Sequence, residues 1–230
     1  MLDETITDPN RRLIMKLKSL TTVFAAVALT TVVSHAQLIN SFVNADFDSG
    51  AVTTPGPFDG FDPATTQIIG WHNYGTVTDA GVEASGAWWI QGYAYGNCAF
   101  VNAGGGAYNL SSYVIQAGDV FTPSLVADSW GGGQITAALF YNGPANVIGT
   151  YTFTPNQWHF DVWTDATGIT ASADSVGGTL GIIIENTGDA GQHVGFDQIA
   201  VNVTPVPEPT TIAMILSGGV GMLALRRRRS

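Results

Sequence analysis

Any chemistry in this chain has to come from carboxylates and aromatic rings, because no lysine or arginine occurs between Gln37 and Thr204. That stretch holds 14 acids, of which only Glu83 and Glu185 are glutamates. Carboxylates without internal counter-ions invite divalent cations, and Ca2+, which takes about six to eight oxygen ligands, is the usual extracellular one. The second chemistry is stacking: sugars present flat C–H faces that exposed rings cover. Trp71, His72, Tyr74, Trp88, Trp89, Tyr93, Tyr95, Trp130, Trp158 and Trp163 supply the rings. On a strand Trp88 and Trp89 must face opposite sides, and Trp89 then shares its side with Gln91, Tyr93 and Tyr95. Trp130 stands between Ser129 and Gly131-Gly132-Gly133, a setting that favours exposure. Trp89, Tyr93 and Trp130 are therefore the candidate stacking residues, and most other rings belong by default to the core.

Other reaction classes find little support. A glycosidase needs two placed carboxylic acids, and neither Glu83 nor Glu185 sits in a recognisable motif. No Gly-x-Ser-x-Gly occurs, and His72, His159 and His193 are scattered. The triple glycines at 104–106 and 131–133 lack a lysine and open no helix, so they cradle no phosphate. Nucleic acid is excluded as a partner, because phosphate binding needs cations on the protein. Cys98 is the single cysteine, so there is no intrachain disulfide, and Cys-Ala-Phe-Val reads as a buried run. The expectation is a protein that is not an enzyme.

The elements that position these residues read as strands. Apolar runs are short, rich in Val, Ile, Tyr, Phe and Trp, and broken by Gly, Asn, Ser and Thr within about ten residues. Candidate strands are 39–47, 67–74, 87–95, 98–101, 112–116, 120–127, 134–141, 146–153, 157–164, 179–185 and 194–203. Within 157–164, alternation puts Trp158, Phe160 and Val162 on one face and His159, Asp161 and Trp163 on the other. Turns are signalled at 48–50, 104–106, 117–119, 131–133, 142–144, 177–178 and 188–191, and residues 51–66, with three prolines, form a long loop. The fold class is all-β: an antiparallel two-sheet β-sandwich, a jelly roll, over residues 37–204.

Apolar segments flank this domain and give it an N-terminal signal helix and a C-terminal hydrophobic helix. Met15-Lys16-Leu17-Lys18, an apolar run 19–33 and Ser34-His35-Ala36 make residues 1–36 a signal peptide cleaved before Gln37. Either Met15 is the true start and 1–14 are artefactual, or Arg11-Arg12-Leu13-Ile14-Met15-Lys16 is a twin-arginine export motif. At the other end Val206, Pro207, Glu208, Pro209 and Thr210 precede a charge-free segment, 210–225, and then Arg226 to Arg229. The segment is short of the roughly 20 residues that cross a bilayer, and the arginines hold its end cytoplasmic. These three parts in order resemble the PEP-CTERM sorting domain of bacterial surface proteins, over 205–230. The resemblance implies membrane anchoring, processing by an exosortase-type enzyme, and delivery to the cell surface or exopolysaccharide matrix.

The sandwich has a likeness of its own. Asn44-Ala45-Asp46-Phe47-Asp48-Ser49-Gly50 followed by Ile69-Gly70-Trp71, then residues 115–121, then Phe196-Asp197 and its alternating aliphatics resemble galactose-binding-like jelly rolls, including carbohydrate-binding modules. That resemblance implies a structural Ca2+ between Asp48 and Asp197, with backbone carbonyls completing the shell. The expected function is that of an exported, non-catalytic surface or matrix protein, a weak calcium-stabilised binder of polysaccharide. The alternatives are an adhesin or matrix filler without a small ligand, and a carbohydrate-active hydrolase using Glu83 or Glu185.

Overall fold

A computed structural model describes residues 36–49, 68–76, 80–84 and 96–205. The signal segment before Ala36, Trp89, Tyr93, the loop 51–66, the candidate strand 87–95 and the sorting motif Val206, Pro207, Glu208, Pro209 and Thr210 lie outside the described residues. The described strands are β1 (Gln37–Leu38), β2 (Trp71–Gly75), β3 (Ala80–Ala84), β4 (Asn97–Asn102), β5 (Gly105–Val114), β6 (Val120–Trp130), β7 (Ile135–Tyr141), β8 (Val147–Phe153), β9 (Asp161–Thr164), β10 (Ile169–Thr170), β11 (Thr179–Asn186) and β12 (His193–Thr204). One sheet runs β10-β6-β12-β4-β3, with β1 beside β12 and β9 beside β6; the other runs β2-β5-β11-β7-β8. All strand pairs are antiparallel. The expected antiparallel two-sheet sandwich is what forms.

Alternation explains why the two sheets face each other. In β11, Leu180, Ile182 and Ile184 point into the shared core, and Ile183 and Glu185 point away from it. In β6, Phe121, Leu125 and Ala127 point in, which turns Val126, Asp128 and Trp130 outward. β12 begins with Val194 and Phe196 inward and ends with Ile199, Val201 and Val203 inward. A spacing of three between Phe196 and Ile199 breaks the two-residue period. The register against β6 shifts between Asp197 and Ala200, where Gln198 takes φ of 50°. The bulge restores the inward face that a straight strand would lose, since a one-residue slip reverses every side chain.

The structure differs from the sequence expectation in several elements. Residues 40–47 are turns rather than strand; Asn44 and Phe47 take φ of 54° and 53°. Ile39, Phe42 and Phe47 are still buried, so the segment closes the core as a folded plug. The Trp71 Nε1–H donates to the Asn44 carbonyl at 2.9 Å and Asn109 Nδ2 donates to the Val43 carbonyl at 2.8 Å, fixing the plug against β2 and β5. Gly105 and Gly106 belong to β5 and not to a turn. The strand expected over 157–164 starts only at Asp161: Val162 faces solvent, and Trp163 turns inward, its ring stacked 4.8 Å from Phe153. Pro155 and Asn156 account for the late start, since proline cannot donate to a ladder.

Candidate functional site at the edge of the seven-stranded sheet

The outer face of the larger sheet carries the polar and exposed aromatic side chains in rows set by register. Trp130 pairs with His193, and His193 with Asn102, so these three side chains form one row across β6, β12 and β4. In the next row Asp128 pairs with Gly195, Gly195 with Phe100, and Phe100 with Gly81. Gly195 separates Asp128 from Phe100 and Gly81 lies beyond, yet Asp128 and Phe100 are both almost fully buried. Val126, Asp197, Cys98 and Glu83 follow in the third row.

Trp158 joins the first row through the loop before β9. The Ser129 N–H donates to the Asn156 carbonyl at 3.0 Å, and its Oγ donates to the Pro155 carbonyl at 3.0 Å. The Trp158 N–H returns a bond to the Ser129 carbonyl at 3.2 Å. These bonds hold Trp158 at φ of 59°, a left-handed conformation that costs a bulky residue on the order of 1–2 kcal/mol. The strain delivers an indole to the surface: Trp158 is 56% exposed and Trp130 38%, whereas Trp71 is buried and Trp163 half-buried. The Trp130 ring lies 6.2 Å from Trp158 in an edge-to-face arrangement and 4.7 Å from the His193 imidazole. His193 Nδ1 in turn contacts the Asn102 side-chain oxygen. Gly131 and Gly132, both in left-handed conformations, turn the chain into β7. A side chain at Gly132 would come within 3.4 Å of the Gln157 amide nitrogen and 3.8 Å of that of Gln192, so two amides rim the rings.

The carboxyls near these rings differ in state. Asp128 is buried, accepts the Gly195 N–H, and has no hydrogen-bond partner on Oδ1; burial pushes its carboxyl up to about 7, against the pull of the Gly195 bond. Asp161 is exposed and held below its ordinary range, first by the Asn156 side-chain bond and then by His159, whose Nδ1 lies 3.1 Å from Asp161 Oδ1. Burial raises the Cys98 thiol, and Asp128, Asp197 and Glu83 raise it further. That thiol is an inert buried group.

The expected site residues fall as follows. Trp130 is exposed, as its flanking residues suggested. Asp197 is buried on the outer face at the β12 bulge. Asp48 is exposed at the end of the 40–49 segment and accepts the Asn97 N–H at 2.8 Å, which ties it to the start of β4. Both acids border the start of β4, because Cys98 lies within the electrostatic reach of Asp197. Among the described residues no three His, Cys, Asp or Glu side chains converge as metal ligands. A calcium ion held by Asp48 and Asp197 would thus take most of its oxygens from backbone carbonyls. Glu83 points outward from the larger sheet and Glu185 outward from the smaller one, so the two cannot act on one bond.

Sequence reasoning missed Trp158, His193 and Asn102 as neighbours of Trp130. The signal for Trp158 was present in Pro155-Asn156, which makes 155–160 a loop. Nothing local marked His193 or Asn102, since both reach Trp130 through long-range register. Asp128 lies just past the expected strand 120–127 and was not singled out; the longer β6 is what places it on the outer face.

Residues 205–229 match the PEP-CTERM protein-sorting motif. That motif implies export, a membrane-anchored C-terminal tail before processing, and an exosortase-type enzyme that acts on it. No curated protein sequence matches the chain. Among solved structures, the chain is similar to a Stig cyclase from Fischerella sp. TAU in complex with (3Z)-3-(1-methyl-2-pyrrolidinylidene)-3H-indole, at TM-score 0.57 and 18% identity over 75% of this chain and 100% of that one. An apo-form cyclase from Fischerella sp. gives 0.54 and 19% over 75% and 98%. A family 61 carbohydrate-binding module in complex with β-1,4-galactotriose gives 0.46 and 14% over 70% and 97%. At such identities the likeness to the cyclases is one of fold.

Proposed function

We propose that this is a non-catalytic cell-surface or exopolysaccharide-matrix protein whose sandwich binds saccharide at the Trp130–Trp158–His193 end of the larger sheet. The observation that carries the reading is the pair of exposed indoles, one held in a strained backbone, beside an imidazole and three side-chain amides (Asn102, Gln157 and Gln192). Rings of that kind cover the C–H face of a sugar, and amides hydrogen-bond its hydroxyls; a few convergent polar groups beside apolar surface are the ordinary make-up of a small-ligand site. The absence of catalysis belongs to the same reading and is supported by the opposed placement of Glu83 and Glu185. The acidity of the domain, 14 acids without Lys or Arg, suits a protein kept soluble outside the cell.

The test is binding of the purified full chain to a panel of oligosaccharides, read by calorimetry. Trp130→Ala and Trp158→Ala should each lower affinity on the order of tenfold or more, as truncation of an aromatic anchor does. Unchanged thermal unfolding of these variants would show that the loss is local. Retained affinity in both variants, or no binding to any saccharide, would remove the reading and leave the role of an adhesin or matrix filler.

A further inference from the structure

We infer that, while its tail is still in the bilayer, the domain stands on the end of the sandwich where the chain enters and leaves, and holds the ring corner out toward external polymer. What the corner binds rests on the saccharide reading above; the orientation follows from strand register. β6 and β12 lie side by side along the larger sheet. Trp130 at the end of β6 pairs with His193 at the start of β12, and at their other ends Val120 pairs with Thr204. The rings and the exit of the chain are therefore at opposite ends of the same two strands. The 11 residues of β6, at about 3.3 Å each, put roughly 30 Å between them.

The chain also enters at the exit end, because Gln37 pairs with Val203. The loops 115–119, 142–146 and 171–178 share that end: Ile115 exchanges backbone bonds with Gly177 and Gly178, and the Asn142 N–H donates to the Thr179 carbonyl at 2.9 Å. Leu38, Val114 and Val176 expose apolar side chains there. Covalent reach then sets how near this end comes to lipid. Pro205 and Thr210, where the charge-free segment begins, are five residues apart and span at most about 18 Å. The tether is shorter than the distance from the exit to the rings.

The placement of carboxylates decides which way the tethered domain points. Of the exposed or half-buried carboxylates among the described residues, Asp174 alone lies at the exit end. Asp161, Glu185 and Asp189 lie toward the rings: Asp161 pairs with Ala127, Glu185 with Thr136, and Asp189 is in the turn before His193. Asp46, Asp48 and Glu83 lie between, near the start of β4. No lysine or arginine in the domain offsets them. A bilayer containing anionic lipid repels the acid-rich sides and far end more than the exit end, and so keeps the exit end lowermost.

The test uses the purified full chain in vesicles of phosphatidylcholine and phosphatidylglycerol with an acceptor dye on the headgroups. Val176→Cys carries a donor at the exit end and Ala190→Cys one at the ring end; Cys98 is buried, and the parent chain controls for labelling there. The donor at position 176 should transfer energy to the lipid several-fold more strongly than the donor at position 190. A maleimide-bearing polyethylene glycol should reach the thiol at position 190 as fast in vesicles as in detergent, and that at position 176 more slowly. Added salt should narrow the difference in transfer by screening the repulsion. A Gly/Ser spacer of about 12 residues between Pro205 and Val206, which adds roughly 20 Å of flexible reach, should narrow it too. Equal transfer from the two positions, or slower polymer attack at position 190 than at 176, would overturn the orientation. A difference that survives both salt and spacer would also overturn it, since neither repulsion nor reach would then set it. These readouts involve no saccharide, so their failure is distinct from failure of the saccharide panel, which would remove the ligand and leave the orientation.

Discussion

Asp128 should make this protein less stable as pH rises from about 4 to about 7, the reverse of ordinary acid denaturation. Its carboxyl lies on the outer face of β6, buried, with one oxygen unpartnered and no lysine or arginine anywhere in the domain to hold it ionised. The folded carboxyl keeps its proton to about pH 7, where an ordinary aspartate loses it near 3.8. Between those values the folded state binds more protons than the unfolded state. Stability is therefore fully present below the unfolded pKa and is lost as pH rises through the folded one. A shift of about three units corresponds to about 4 kcal/mol, of which about 3 kcal/mol falls between pH 4.5 and pH 8. Asp128→Asn keeps the shape and an acceptor for the Gly195 N–H but removes the titration. Whatever the buried amide costs, commonly about 1–3 kcal/mol for an unsatisfied group, is the same at both pH values and cancels from the comparison. Urea unfolding of parent and variant at pH 4.5 and pH 8, at fixed ionic strength, gives the difference directly. The stability gap should move in favour of the variant by about 3 kcal/mol on going to pH 8. Contributions from Glu185, which burial also raises, and from Asp161 are common to both proteins and drop out. A gap that changes by less than about 1 kcal/mol would show that Asp128 is ionised in the fold and that the burial argument is wrong.

Cys98 should resist a thiol reagent at pH 8 in the native protein and react stoichiometrically once urea unfolds it, because burial and three nearby carboxylates disfavour its thiolate; rapid native labelling would show that the outer face of β4 is open. Calcium bound at Asp48 and Asp197 should raise the melting midpoint relative to chelator by mass action, and Asp197→Asn should abolish the increment. A midpoint indifferent to calcium would remove the metal from the account.

The described strands show where sequence information is local. β7, β8, β11 and β12 fall within two residues of their expected bounds, because each is a run rich in aliphatic and aromatic residues bounded by Gly, Asn or Pro within two residues. The run 39–47 was expected as a strand but forms turns, since the Val43 and Asn44 carbonyls at its middle are held by the side chains of Asn109 in β5 and Trp71 in β2 rather than by a strand partner. Pairing of that kind is invisible in nine residues read alone. The unexpected β3 and β10 are short elements at the two ends of the larger sheet's strand order.

By itself the chain determined its two-sheet architecture, its acidity, the solitary thiol and the sorting motif at its end, because periodicity, charge and motif order are properties of consecutive residues. It also singled out Trp130 from its glycine-rich flank. Only the folded molecule decided that Trp158, His193 and Asn102 gather around that ring, that Asp128 is buried on a face with no cation, and that Glu83 and Glu185 look away from each other. Strand register and the β12 bulge join residues separated by tens of positions, and a shift of one residue in either would reverse which side chains meet.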